Sequence, residues 1–326
     1  MTVQTHSRKI VCIDIGGTNM RGALIDPSLD ATRIRPKNER TKALEGRDIL
    51  LQQLLDMILG LVSRIDYKDV AGVSISLPGL IDSEMGVVKL AYNLSVLNRF
   101  PLAKFVKRET GLATMLLNDA NAGAFAEWKQ VLRCKVDNLV YVTVSTGIGA
   151  GLILNGQLYL SSTGDAGELG HVPIALDGPR CHECGCGRGC LTEYASGPAI
   201  VNYVRSQLRR KGGVLLEMAR GDPKCVEPAM ILRAAKLGDP LALHAYRRAG
   251  EALGQAILGI YYLLNPSVIA IGGGVTKSGD FLLLPAQEVM LARGVDNGRV
   301  RLKFGGYGAN QCLIGAACYA ASCWKF

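Results

Sequence analysis

Apolar and polar positions follow two rhythms along this chain, and the change from one to the other marks out its elements. KIVCIDIGGTNMRGALID, residues 9–26, is an apolar run, a Gly-Gly turn and a second run with period-two alternation. That pattern predicts a β-hairpin and not a strand feeding a helix, so the glycines do not open a dinucleotide-binding unit. Over residues 45–65 apolar side chains fall at Ile49, Leu50, Leu54, Leu55, Ile58, Leu61, Val62 and Ile65, a helical stripe, and VAGVSISLPG returns to strand. A short helix over 102–109, a strand over 113–117 and a helix from Asp119 or Ala120 to Trp128 follow. The opening pattern then recurs: NLVYVTVSTGIGAGLILNGQLYL is again strand, glycine-rich turn and strand. Two such hairpins about 130 residues apart predict a duplicated architecture. Further on come a helix over 240–264 ended by Asn265-Pro266, a buried strand in SVIAIGGGV, a helix starting near 278 and a small-residue helix from 311.

These elements predict an α/β protein of two lobes, 1–118 and 119–310, with the C-terminal helix at about 311–326 packing back on the first. No Pro-rich or Ser-rich linker separates the lobes, so they are expected to meet in a cleft. With 326 residues, 48% of them hydrophobic, the chain can bury a sizeable core. The longest apolar run, near 256–264, is far short of the ~20 residues that cross a bilayer, and the N-terminal residues turn into a strand without an apolar signal segment. A soluble, cytoplasmic protein with no membrane partner is expected. The net charge of +9 is spread along the chain, and its densest cluster, 205–211, reads as a helix end. It implies a general attraction for anionic substrates and no nucleic-acid partner.

Of the ten cysteines, Cys12, Cys134, Cys225, Cys312, Cys318 and Cys323 stand singly and are expected to be small buried residues. The other four, Cys181, Cys184, Cys186 and Cys190, crowd into CHECGCGRGC. In a reducing compartment they point to metal binding or redox chemistry, and the thioredoxin-like context of a redox Cys-x-x-Cys is missing. The two hairpin tips carry further chemistry. Asp14, Gly16, Gly17, Thr18 and Asn19 make a tight turn that can aim backbone N–H groups and a hydroxyl at a phosphate, with Asp14 placed for a Mg²⁺-bound water. Ser145, Thr146, Gly147 and Gly149 repeat the arrangement, and Gly272, Gly273 and Gly274 follow a strand as a ligand-approach turn does. Each is also consistent with an ordinary turn; three in one chain point to a nucleotide. Asp119, where a buried strand meets a helix, is the candidate base, with Asn118 beside it, and a helix N-cap is the plainer role for Asp119.

Hairpin, hairpin and glycine turn in this order resemble the ATPase fold shared by sugar kinases, actin and the Hsp70 chaperones, an actin-like or hexokinase-like fold of duplicated ribonuclease H-like halves. DIGGTN at 14–19, SLPG at 76–79, LNDANA at 117–122, STGIGAG at 145–151, GELGH at 167–171, the cysteine run, YASG at 194–197 and NPSVIAIGGG at 265–274 together resemble the ROK family of sugar kinases and sugar-responsive repressors. The resemblance implies an ATP-dependent kinase of a hexose or N-acylhexosamine, with Asp119 as the general base. It places Gly79, Asn93, Asn118, Glu168 and His171 on the sugar, DIGGTN and STGIG on the ATP phosphates with Mg²⁺, and Gly272 to Gly274 near the adenosine. It also implies a homodimer, and a structural Zn²⁺ in the 171–190 loop held by His171 and three cysteines. Cys184, Cys186 and Cys190 are the expected three, with Cys181 the substitute for one of them, because the run is one residue shorter than the family's. Kinases of the family carry a sugar-binding Glu two residues after the last cysteine; that position is Thr192 here, so Glu193 is the expected contact, or the contact is altered. The repressors carry an N-terminal helix-turn-helix, whereas eight or nine residues precede the first strand here, so the kinase branch is expected over a regulator or a catalytically silent sugar binder.

Overall fold

The computed structural model describes residues 8–26, 34–161, 163–185, 187–211 and 213–324. Its Cα packing forms two compact units, one of residues 1–137, 151–166 and 305–326, the other of 138–150 and 167–304. The units therefore part at other places than residues 118 and 119, for a reason that lies in the core of the first.

That first unit begins with β1 (Lys9–Ile15), β2 (Asn19–Ile25) and β3 (Lys37–Arg40), and continues through α1 (Arg47–Val62), β4 (Val70–Leu77), β5 (Leu80–Asp82), β6 (Val87–Leu90), α2 (Leu102–Thr110), β7 (Thr114–Asn118) and α3 (Asp119–Ala126). Among the described residues its main sheet has the order β3-β2-β1-β4-β7. β1 and β2 form the antiparallel hairpin, while β1, β4 and β7 run parallel, which sets Asp14 opposite both Arg21 and Ser76. The continuous apolar character of β1 follows from burial on both faces. Val11, Ile13 and Ile15 join Leu50, Leu54 and Ile58 of α1 and Val106 of α2 in one core. Ile10 and Cys12 point the other way, into a cluster with Leu313, Ala317 and Ala320 of the C-terminal helix, Gln311–Trp324. Each fully buried aliphatic side chain contributes about 1.5–3 kcal/mol, so both faces are needed for the strand to hold.

The same C-terminal helix keeps α3 in the first unit. A Cβ on Gly315 would stand 1.7 Å from the Ala122 carbonyl oxygen, so only glycine allows this approach. Gln311 Nε2 donates to the Gly123 carbonyl at 3.0 Å and to Glu127 at 3.2 Å, and the fully buried Glu127 also accepts from the Gly306 N–H at 3.0 Å. These contacts join residues far apart in sequence, and they satisfy a buried carboxylate in the π-helical turn that ends α3.

The second unit starts at β8 (Leu139–Val144). The boundary falls inside β9 (Ile148–Leu154), which β10 (Gln157–Leu158) follows. Then come α4 (Thr192–Ala195), α5 (Gly197–Lys211), α6 (Val214–Met218), α7 (Pro228–Lys236), α8 (Pro240–Leu264), β11 (Val268–Gly272), α9 (Asp280–Leu291) and β12 (Arg301–Phe304). The sheet order β10-β9-β8-β11-β12 repeats that of the first sheet, again with a hairpin on one side and parallel strands on the other. α8 has the bounds its pattern predicts. Asp239 Oδ1 accepts from the Ala242 N–H at 2.9 Å, Pro240 occupies the first turn, and Asn265 closes the helix in the left-handed region at φ 44°. Among the described residues no helix is long and apolar enough to cross a membrane.

Candidate active site

In the first unit the β1–β2 turn is tied at several points. The Gly16 N–H donates to the Asn19 carbonyl at 2.9 Å, Thr41 Oγ1 donates to the Gly16 carbonyl at 2.7 Å, and the Thr41 N–H donates to the Thr18 carbonyl at 2.9 Å. Gly17 and Thr18 remain exposed at the tip. Asn93 lies against this turn: a Cβ on Gly17 would meet the Asn93 Cβ at 2.9 Å. Asp14 sits at the end of β1, where Ser76 Oγ donates to Oδ1 at 3.0 Å. Burial raises the Asp14 pKa; the Ser76 hydrogen bond and the nearby Arg21 oppose that rise without cancelling it.

A raised carboxylate pKa means that the fold favours the protonated form. Stability from that proton is complete in acid, below the usual carboxylate range, and is lost as pH rises through the folded-state pKa. In the ligand-free protein, Asp14→Asn is expected to melt higher than wild type above that range, with the two converging in acid. Calorimetry across pH checks this, and equal melting at neutral pH would contradict it.

At the end of β7, Asn118 and not Asp119 caps α3, accepting from the Ala120 and Asn121 N–H groups at 2.9 and 3.2 Å while its Nδ2 donates to the Gly79 carbonyl at 3.0 Å. One side chain thus joins the SLPG turn to the helix start. Asp119 is the first helical residue, half-buried, with Oδ1 accepting from the Ala120 N–H at 2.8 Å. Cys312 donates its thiol to the Asp119 carbonyl at 3.5 Å. Burial, and then the charges of Asp14 and Asp119, raise that thiol's pKa well above the ordinary value, so both carboxylates lie within electrostatic reach of it.

In the second unit the β8–β9 turn and the turn after β11 adjoin. Ser145 N–H donates to the Gly147 carbonyl at 2.9 Å, and the Ser145 carbonyl accepts from the Gly197 N–H at 2.8 Å. Gly273 has φ 90°, and a Cβ there would be 2.3 Å from the Val144 carbonyl oxygen, so glycine is required by conformation and by space. Gly274 faces Ser145, and Gly272 packs on the Tyr141 ring. Ser145, Thr146 and Gly274 are exposed. The GELGH turn lies on β9, where the Ala150 N–H donates to the Gly167 carbonyl at 2.6 Å and a Cβ on Gly167 would stand 1.8 Å from the Ala150 carbonyl oxygen. From it, Glu168 Oε2 comes within 3.7 Å of His171 Nε2.

The other edge of His171 faces sulfur, with Nδ1 3.8 Å from Cys181 Sγ. One ligand atom each from His171, Cys181, Cys184 and Cys190 falls within 4.8 Å of all the others. Cys186, one of the three expected thiols, lies outside the described residues, and the set brought together contains Cys181. One imidazole nitrogen and three thiols are the donor set of a closed four-coordinate zinc site. Burial pushes the Cys190 thiol up to about 12 and raises Cys181, so metal binding here has to release protons.

The residues after the cluster differ from expectation. Thr192 is 0% exposed, so position 192 is closed to a ligand. The Glu193 carboxylate accepts from the His182 N–H at 2.8 Å and pairs with the His182 ring. A second carboxylate beside His171, besides that of Glu168, is Glu183, with Oε2 4.0 Å from Nε2. Nothing in the sequence singled Glu183 out, because its direction depends on which thiols gather; its place between two of them, 181 and 184, was the available signal.

Each of two sheets of like topology carries a glycine-bearing turn, and an Asn-Asp helix start and a His-Cys cluster able to hold a metal ion complete the features of an α/β fold. Residues 10–322 match the ROK family, and the chain belongs to that family. It is 32% identical over 281 residues to a glucokinase of Thermotoga maritima, covering 86% of each chain. It is also 32% identical to a xylose repressor of Caldicellulosiruptor bescii, over 76% of this chain and 62% of that one. A crystal structure of a ROK family glucokinase from Streptomyces griseus in complex with glucose and AMPPNP superposes with a TM-score of 0.83 at 28% identity, covering 96% of this chain and 99% of that one. The fold is that of the hexokinase-like ROK proteins.

Proposed function

We propose that this protein is an ATP-dependent sugar kinase acting on a hydroxyl of a neutral hexose or N-acylhexosamine. The observation that carries the reading is the division of labour at the start of α3. Asn118 takes the cap and the tie to Gly79, and the Asp119 carboxylate stands next to it as the first helical residue, half-buried where the strand meets the helix. Asp119 is assigned the proton of the acceptor hydroxyl. Asn93, Gly79, Asn118, Glu168 and His171 are assigned the sugar. Asp14 through Asn19 and Ser145 through Gly147 are assigned the ATP phosphates, and Gly272 to Gly274 the adenosine side. Asp14, a hard oxygen donor at the turn, suits the water shell of Mg²⁺, which supplies charge neutralisation on the phosphates when bound. His171, Cys181, Cys184 and Cys190 are assigned a zinc ion that fixes the GELGH turn. Phosphoryl transfer is mostly positioning and charge stabilisation, so a base and backbone cradles suffice for it.

The relative crystallised with glucose and AMPPNP supports ATP use and a hexose acceptor. The repressor relative supports a second reading, a sugar-responsive regulator. Coupled ADP release over a panel of glucose, mannose, allose, fructose, N-acetylglucosamine and N-acetylmannosamine separates the two. The kinase turns over at least one of them, whereas a regulator binds sugar without ATP consumption.

A further inference from the structure

The GELGH turn and the cysteine loop place two carboxylates on one imidazole edge. Glu168 Oε2 is 3.7 Å and Glu183 Oε2 4.0 Å from His171 Nε2, while Nδ1 of the same ring faces the thiols. The ring orientation is therefore set from the sulfur side, and its Nε2 edge is presented between two acids. Glu183 is the more enclosed of the two, with a side chain 12% exposed against 37% for Glu168. Its other oxygen reaches the STGIG turn, where a Cβ on Gly147 would stand 2.9 Å from Oε1. Thr192 Oγ1 is buried without a hydrogen bond of ordinary geometry. The two glutamates that could serve here are thus distinguished by their partners. Glu193 is occupied by the backbone and ring of His182, and Glu183 stands beside His171 and Gly147.

Resting on the sugar-kinase reading, we propose that Glu183 is a sugar-binding, specificity-determining residue of this chain, doing from within the cysteine loop what neither Thr192 nor Glu193 is placed to do. A carboxylate accepts from two hydroxyls at once, or from a hydroxyl and an amide N–H. Two such acceptors flanking His171 select a ring edge rich in donors. They turn away sugars that carry a carboxylate or phosphate on that edge, because like charges would meet in a poorly hydrated place. The loop residue between two metal-cluster thiols is then both a consequence of the cluster's geometry and the reason the loop must be held.

The test uses the full chain and the best sugar of the panel, with steady-state kinetics, calorimetric sugar binding and zinc content for wild type, Glu183→Gln, Glu183→Ala and Glu193→Gln. Removing a charged acceptor is expected to raise the sugar KM and Kd about 10- to 100-fold. The KM for ATP and the zinc content should stay at the wild-type level, and Glu183→Gln should weaken discrimination against the matching uronic acid. Glu183→Gln within about twofold of wild type, or a loss confined to Glu193→Gln, overturns the assignment while leaving a kinase. Loss of zinc together with affinity assigns the effect to the loop and also overturns a direct contact. Wild type that binds no neutral sugar overturns the kinase reading itself, and this inference with it.

Discussion

Asp119→Asn is expected to lower kcat by about 10²- to 10⁴-fold, the range lost with a positioned general base, while sugar binding measured calorimetrically stays within a few-fold. The amide keeps the size of the carboxylate and cannot accept a proton. The capping geometry makes the experiment decisive. If Asp119 served only to start α3, its loss would cost about 0.5–2 kcal/mol of stability and leave turnover alone. Asn118 already accepts from the Ala120 and Asn121 N–H groups, so α3 keeps its cap in the variant. A small change in melting temperature with a large fall in kcat is therefore the expected pair of results. A variant that keeps its rate would remove Asp119 from the chemistry, and one that loses sugar binding in proportion to rate would make it a binding residue.

The second large effect concerns the sulfur cluster. Cys181→Ser and Cys190→Ser are each expected to lose a bound zinc equivalent and about 4 kcal/mol or more of stability, as removal of a structural metal does. Among the described residues His171, Cys181, Cys184 and Cys190 supply four ligand atoms, so Cys186→Ser is expected to keep both. Metal analysis after dialysis and thermal melting read the two outcomes. Zinc retained in Cys181→Ser and lost in Cys186→Ser would restore the expected ligand set. The pH dependence has a fixed sign. The thiols bind metal as thiolates, and burial raises Cys190 and Cys181, so zinc affinity falls as pH drops and protons compete for sulfur. On the proposed assignment of Glu168 and His171 to the sugar, chelation is expected to weaken sugar binding before ATP binding.

Local pattern made much of this legible. Period-two runs around glycine turns gave both hairpins, and Asp239-Pro240 with Asn265-Pro266 bounded α8, because a cap and a stop are short-range chemistry. The motif spacing located the residues of each turn. What escaped was set by distant contacts. The unit boundary depends on Gln311, Gly315 and Glu127 meeting across some two hundred residues of chain, which no window over α3 can register. Glu183 escaped for a related reason: counting from either end of the cysteine run points at 192 or 193, whereas the fold puts Cys181 into the cluster and carries Glu183 round with it.

The second face of β1 imposes an order on biosynthesis. Ile10 and Cys12 are among the first described residues to leave the ribosome, and their partners Leu313, Ala317 and Ala320 are among the last. All of 138–150 and 167–304 is made in between. At about 5–20 residues per second, the first sheet waits tens of seconds with one apolar side uncovered. Chaperone occupancy during synthesis should therefore map to that side of the sheet, and a nascent chain stalled before residue 311 should remain protease-sensitive in the first unit.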